Sequence, residues 1–176
     1  MHKDLKKILV DEKSIDIICS KLAKKINQDY KSKKPLIIGV LKGCVPFMSD
    51  LLKKIDLNCE LDYIVCSSYV GVNSSGFVEL KKDVHISVKD RDVILIEDIV
   101  DTGRTLQMLE ELFKTREVKS FEVVVLFDKK AARIANFQPK YVGMEIENEF
   151  IVGYGLDYNE NYRNLPYVGV LKENIY

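Results

Sequence analysis

Val93-Ile94-Leu95-Ile96-Glu97-Asp98-Ile99-Val100-Asp101-Thr102-Gly103-Arg104-Thr105-Leu106 is the stretch on which the fold turns. It opens on four consecutive apolar residues, a run of strand length that suits a sheet covered on both faces. Two adjacent carboxylates, Glu97 and Asp98, end the run, and a third, Asp101, begins a small-residue turn. Leu106, Leu109, Leu112 and Phe113 then recur at helical spacing. The unit is strand, acidic turn, helix, and it suggests two separate jobs. Backbone amides from Thr102 to Thr105 at a helix N-terminus, with two threonine hydroxyls and the positive end of the dipole, suit a phosphate. Gly103 lets the backbone approach such a ligand closely. Glu97 and Asp98 suit Mg2+, which is bound through one or two carboxylates and completes its shell from water and a phosphorylated substrate. The plainer alternative is an N-cap followed by a turn, with the acids as solvated strand-end charges; the whole string directly behind an apolar strand favours the site.

Working outward, the same alternation repeats. From about Asp11 to Tyr30, Ile15, Ile18, Cys19, Leu22, Ala23 and Ile26 form the stripe of an amphipathic helix. Leu36 to Leu41 is a second continuous apolar run, and Pro46 with Phe47, Leu51, Leu52 and Ile55 marks a following helix to about Lys54. Leu61 to Tyr69 reads as a strand, 71–76 as a turn-rich segment suited to a flap, and Phe77 to Lys81 as a short strand. Phe121 to Phe127 is a third buried strand; shorter ones follow at Tyr141 to Ile146, Phe150 to Gly153 and Tyr167 to Leu171. Strands alternating with helices predict an α/β fold with a mainly parallel central sheet flanked by helices, because parallel neighbours need a crossover. Ligands on such sheets sit beyond the carboxyl ends of the strands. That rule directs attention to the residues just beyond Leu41, Ile96, Phe127 and Phe150.

Composition narrows the function classes. With 176 residues, 47% apolar and 31% charged, the chain has the make-up of one globular domain spanning 1–176. Lys plus Arg and Asp plus Glu both total 27, so no net basic excess favours nucleic acid, and an anion site must be local. Cys19, Cys44, Cys59 and Cys66 include no C-x-x-C pair, and His2 and His85 offer no zinc spacing. The charged N-terminus and the lack of a long uncharged apolar run predict a cytoplasmic protein with no membrane partner. No G-x-G-x-x-G, G-x-x-x-x-G-K-[ST] or G-x-S-x-G occurs, which disfavours a dinucleotide enzyme, a P-loop NTPase and a serine hydrolase.

The string Val93 to Leu106 resembles the phosphoribosyl-pyrophosphate signature of the type I phosphoribosyltransferases. Leu41-Lys42-Gly43, Ser68-Tyr69, Asp128-Lys129 and the run from Glu149 to Glu160 are similar to the branch of that family acting on 6-oxopurines. The resemblance covers the chain from about Leu36 to its end. It implies the family's fold, with a small hood formed by terminal segments, and transfer of ribose 5-phosphate from phosphoribosyl pyrophosphate to hypoxanthine or guanine. It implies a 5-phosphate cradle of Asp101, Thr102, Gly103, Arg104 and Thr105, with Asp101 also the general base. Lys42, Gly43 and Arg163 take the pyrophosphate; Glu97, Asp98 and Asp157 attend Mg2+. Ile99, Lys129, Phe150, Ile151 and Asp157 face the purine, and Ser68 and Tyr69 begin a flexible loop that closes over the reaction. An ammonium donates only, so Lys129 matches the exocyclic oxygen of a 6-oxopurine and not the amino group of adenine. By the same resemblance the chain forms a homodimer or homotetramer.

Two rival readings keep parts of this pattern. A regulator with the same fold and signature that binds nucleic acid needs a basic face, against which the zero net charge argues. A phospho-receiver domain needs its acidic pair after the first strand, which is not the order here.

Overall fold

The computed structural model describes residues 1–68 and 78–176. The chain begins with strand β1 (Leu5–Val10) and helix α1 (Glu12–Asp29), whose first turn is capped by Asp11 accepting a hydrogen bond from the Ser14 amide at 2.8 Å. Strand β2 (Leu36–Leu41) and helix α2 (Val45–Leu52) follow, then strands β3 (Glu60–Ser68), β4 (Val78–Lys82) and β5 (Asp92–Val100). Helix α3 (Arg104–Thr115) leads to β6 (Ser120–Asp128), a 3-10 turn (Lys130–Ala132), and strands β7 (Tyr141–Glu145), β8 (Ile151–Val152) and β9 (Val168–Leu171).

Among the described residues, six strands form one sheet in the order β4-β3-β2-β5-β6-β7. Its pairs are parallel except for β4, which runs antiparallel at one edge. Both faces are covered, and the apolar run of β5 shows why it had to be continuous. Ile94 and Ile96 join the core packed by α1 and α2, whereas Val93 and Leu95 join the core packed by Leu106, Leu109 and Phe113 of α3. Successive side chains of a strand point to opposite faces, so each face demands its own apolar set. A second sheet, β1-β9-β8, is antiparallel and joins the two ends of the chain into the expected hood.

Three differences from the sequence-based expectation stand out. The strand β1 is not foreseen: only Leu5 and Val10 at its ends are buried, and the lysines between them disguise it as a charged tail. The third strand begins at Glu60 and the short fourth one reaches Lys82. The central strand continues to Val100, so Glu97 and Asp98 lie within β5, and the turn proper begins at Asp101. The loop expected from Tyr69 through 71–76, with Phe77, lies outside the described residues, while Ser68 is the last residue of β3.

Candidate active site

Register places the site. Parallel pairing of β5 with β6 sets Val100 against Asp128, so Asp101 and Lys129 leave the sheet side by side. The Lys129 amide donates to the Val100 carbonyl at 3.0 Å, and its Nζ stands 3.8 Å from Asp101 Oδ2. Lys129 is buried, whereas half of the Asp101 side chain is exposed. A nearly buried ammonium therefore stands beside a carboxylate that solvent or a ligand can reach.

Behind Asp101 the chain turns into α3. Gly103 adopts φ +81, the left-handed region that glycine enters without steric cost, and it occupies the N-cap position. A glycine has no side chain to cap the first turn, and that turn holds no acidic residue. Thr102 Oγ1 reaches the Arg104 amide only at 3.5 Å, while the Gln107 amide returns to the Gly103 carbonyl at 3.0 Å. The first-turn donors are thus available to an external anion, and Thr102, Arg104 and Thr105 surround them at the surface.

Glu97 and Asp98 form the acidic half of the site. Asp98 is buried; its Oδ1 accepts from the Ile99 amide at 2.7 Å, and its own amide donates to Glu97 Oε1 at 3.3 Å. Burial holds the Glu97 carboxyl well above the usual carboxylate range, and the neighbouring Asp98 charge adds to the effect. Burial also raises Asp98. Neither has a cation within ion-pair distance among the described residues. Gly43, in the turn after β2, packs against the Asp98 carboxylate so closely that a Cβ there would overlap it. The peptide bond between Leu41 and Lys42, at the end of β2, is cis.

Lys42 and Arg163 come together, but through an intermediary. Lys42 Nζ pairs with Glu160 Oε2 at 3.0 Å, and Arg163 Nη2 lies 3.4 Å from the same oxygen. Arg163 also pairs with Asp157 at 2.8 Å and donates to the Gly155 carbonyl at 2.7 Å. Asp157 accepts in addition from the Glu160 amide at 2.9 Å. The described segment around Glu160 is sharply turned, with positive φ at Asn159, Glu160 and Tyr162.

The remaining predicted residues line the hood side. The Phe150 ring is stacked on Tyr176 at 4.6 Å between centroids and meets Tyr158 edge-on at 5.6 Å. Ile151 is buried in β8 opposite Val170, so its side chain is strand core. Ile99 is partly buried against the core beneath α1. The sequence alone assigns no role to Arg133 or Glu160. Arg133 sits beyond the 3-10 turn and spans the Asp128 carboxylate and the backbone carbonyls of Phe137 and Asp101. Only an arginine soon after a strand-end Asp-Lys pair hints at it.

Comparison with known proteins agrees with this fold. A family model described as the phosphoribosyl transferase domain matches residues 7–159. The hypoxanthine-guanine phosphoribosyltransferase of Streptococcus agalactiae is 54% identical over 177 aligned residues, covering 100% of this chain and 98% of that protein. That of Streptococcus mutans is 50% identical with the same coverage. The crystal structure of a hypoxanthine phosphoribosyltransferase from Staphylococcus aureus superposes with a TM-score of 0.96 at 47% identity, covering 100% of this chain and 96% of that one. The Trypanosoma cruzi enzyme in complex with the product IMP gives 0.94 at 36% identity, covering 100% and 99%. With most of its length matched by the family model and its whole length by relatives at half identity, the chain belongs to the phosphoribosyl transferase family.

Proposed function

We propose that this chain is a purine-salvage enzyme that transfers ribose 5-phosphate from phosphoribosyl pyrophosphate to hypoxanthine or guanine, releasing IMP or GMP and pyrophosphate. The observation that carries it is the Lys129–Asp101 pair at 3.8 Å, one step ahead of a helix N-terminus whose first-turn donors are uncapped. In this reading a purine reader at the end of β6 stands beside a proton acceptor and a phosphate cradle at the end of β5.

The residues fit the chemistry. As the imidazole nitrogen of the purine bonds to the anomeric carbon, the bond from that carbon to the pyrophosphate oxygen breaks and the ring nitrogen loses its proton. Asp101 accepts that proton; such assistance is worth roughly 10²–10⁴ in rate. The 5-phosphate rests on the amides of 102–105 with the hydroxyls of Thr102 and Thr105. Lys129 donates to the exocyclic oxygen, Phe150 supports the purine ring, and Ile99, Ile151 and Asp157 complete that side. Lys42, Gly43 and Arg163 receive the pyrophosphate. The Glu160 carboxylate now between the two cations is solvent-exposed, and exposed ion pairs are readily exchanged for a stronger anion. Glu97 and Asp98 suit Mg2+, with Asp157 toward a second ion, because a half-buried and a buried carboxylate with no cation at ion-pair distance among the described residues are stabilised by a divalent charge. Bound with the substrate, Mg2+ would neutralise charge building on the leaving group.

The four cysteines are free thiols, which suits the reducing cytoplasm, and no helix among the described residues is long and apolar enough to cross a membrane. We read the whole chain as one catalytic unit that assembles into a homodimer or homotetramer, by analogy with its family. Calorimetric titration tests the base assignment directly. IMP binds at least about tenfold more tightly than AMP if a donor-only group reads position six; equal affinities contradict the reading.

A further inference from the structure

Arg133 is a nearly buried cation with no part in the reaction as described. Its side chain is 14% exposed and its guanidinium divides three ways. One nitrogen pairs with Asp128, a second donates to the Phe137 carbonyl, and Nε donates to the Asp101 carbonyl at 3.3 Å. Asp128 is almost wholly buried, so the guanidinium is also what makes its charge tolerable there. The stem of the same side chain lies on the phosphate turn: a Cβ on Gly103 would stand 2.8 Å from Arg133 Cδ. The next two amides, of Ile134 and Ala135, both donate to the Thr102 carbonyl, at 3.0 and 2.9 Å. Each of residues 101 to 103 is thus held by the 133–135 segment.

We infer that Arg133 is a positioning residue for the transfer reaction, fixing the backbone of Asp101, Thr102 and Gly103 with respect to Lys129. The inference rests on the reading of that turn as proton acceptor and phosphate cradle. Asp128, the anchor of Arg133, is the residue immediately before Lys129 at the end of β6. The phosphate end and the purine end of the site are therefore referenced to one strand end through one guanidinium. Geometry of this kind matters because displacing a reacting group by about 1 Å costs on the order of a hundredfold in rate. A planar fork is required: a lysine ammonium is a single point charge that can answer Asp128 but cannot also span to two carbonyls in different directions.

Arg133→Lys is the informative variant, since it keeps a positive charge opposite Asp128 and so spares the fold the cost of an isolated buried carboxylate. Two measurements are made on the full-length protein beside the wild type: steady-state kinetics in each substrate, and amide hydrogen exchange. The expected result is a fall of roughly ten- to hundredfold in kcat/KM for phosphoribosyl pyrophosphate, with the KM for hypoxanthine changed by less. Exchange of the amides of 102–105 accelerates while those of β5 and α1 keep their protection. Unchanged kinetics with unchanged exchange at 102–105 overturns the inference, as does a uniform acceleration across β5 and α1, which would make Arg133 a general structural brace. A wild type that transfers nothing counts against the proposed activity, and the exchange comparison still decides the bracing role.

Discussion

Glu97 and Asp98 carry the sharpest energetic tension in the protein. Burial pushes both carboxyls above their ordinary range, and the Asp98 charge raises Glu97 further. The folded chain consequently holds protons at this pair that the unfolded chain has already released. Under that condition stability declines as pH rises through and above the ordinary carboxylate range. Replacing Glu97 with Gln removes the charge and keeps the shape. We predict that Glu97→Gln melts at a higher temperature than the wild type at neutral pH, with a flatter pH profile, and loses activity; a variant that melts lower there contradicts this electrostatic account. At this scale the sequence is most legible where chemistry is written in neighbouring letters. Asp101 and Lys129 leave the sheet side by side because the ends of neighbouring parallel strands lie at one edge of the sheet, and Glu97 and Asp98 are held just ahead of that end within β5. That Lys42 and Arg163 belong together is legible by resemblance, whereas the contacts of Arg133 and the Glu160 carboxylate between those two cations are not: two of the three Arg133 partners are backbone oxygens, and Glu160 lies 118 residues from Lys42.

Elements position these residues through register and close approach. The turn from β5 to α3 needs a left-handed residue at its corner, and Gly103 supplies it with Arg133 pressed against its Cα. A side chain there meets both a strained backbone, about 1–2 kcal/mol for an L-residue, and a clash with the Arg133 stem. Gly103→Ala is predicted to lower the melting temperature by several degrees and to weaken binding of 5-phosphate ligands; a variant that melts and binds like the wild type removes the constraint from that corner. Continuous apolar runs make β2, β5 and β6 legible, and three-four periodicity makes α1 and α3 legible. The strand β1 is hidden because its partner β9 lies at the other end of the chain, and hood pairing tolerates lysines along its exposed face. The end of β5 is expected too early because a charged pair normally ends a strand, whereas here the sheet carries both acids into the site.

For the whole molecule, β2, β5 and β6 of the large sheet are followed directly by Lys42, Asp101 and Lys129, and Phe150 directly precedes β8 of the hood. The net charge is zero, so under the proposed function anion recognition falls to local donors. The central claim is that the site at these residues joins a ribosyl phosphate to a 6-oxopurine. Its most direct test is nucleotide formation from phosphoribosyl pyrophosphate and each of hypoxanthine, guanine, xanthine and adenine, with Mg2+ and with a chelator. The account predicts Mg2+-dependent IMP and GMP, with pyrophosphate released in equal amount, and no AMP; AMP formed as readily as IMP, or no nucleotide from any base, would contradict it.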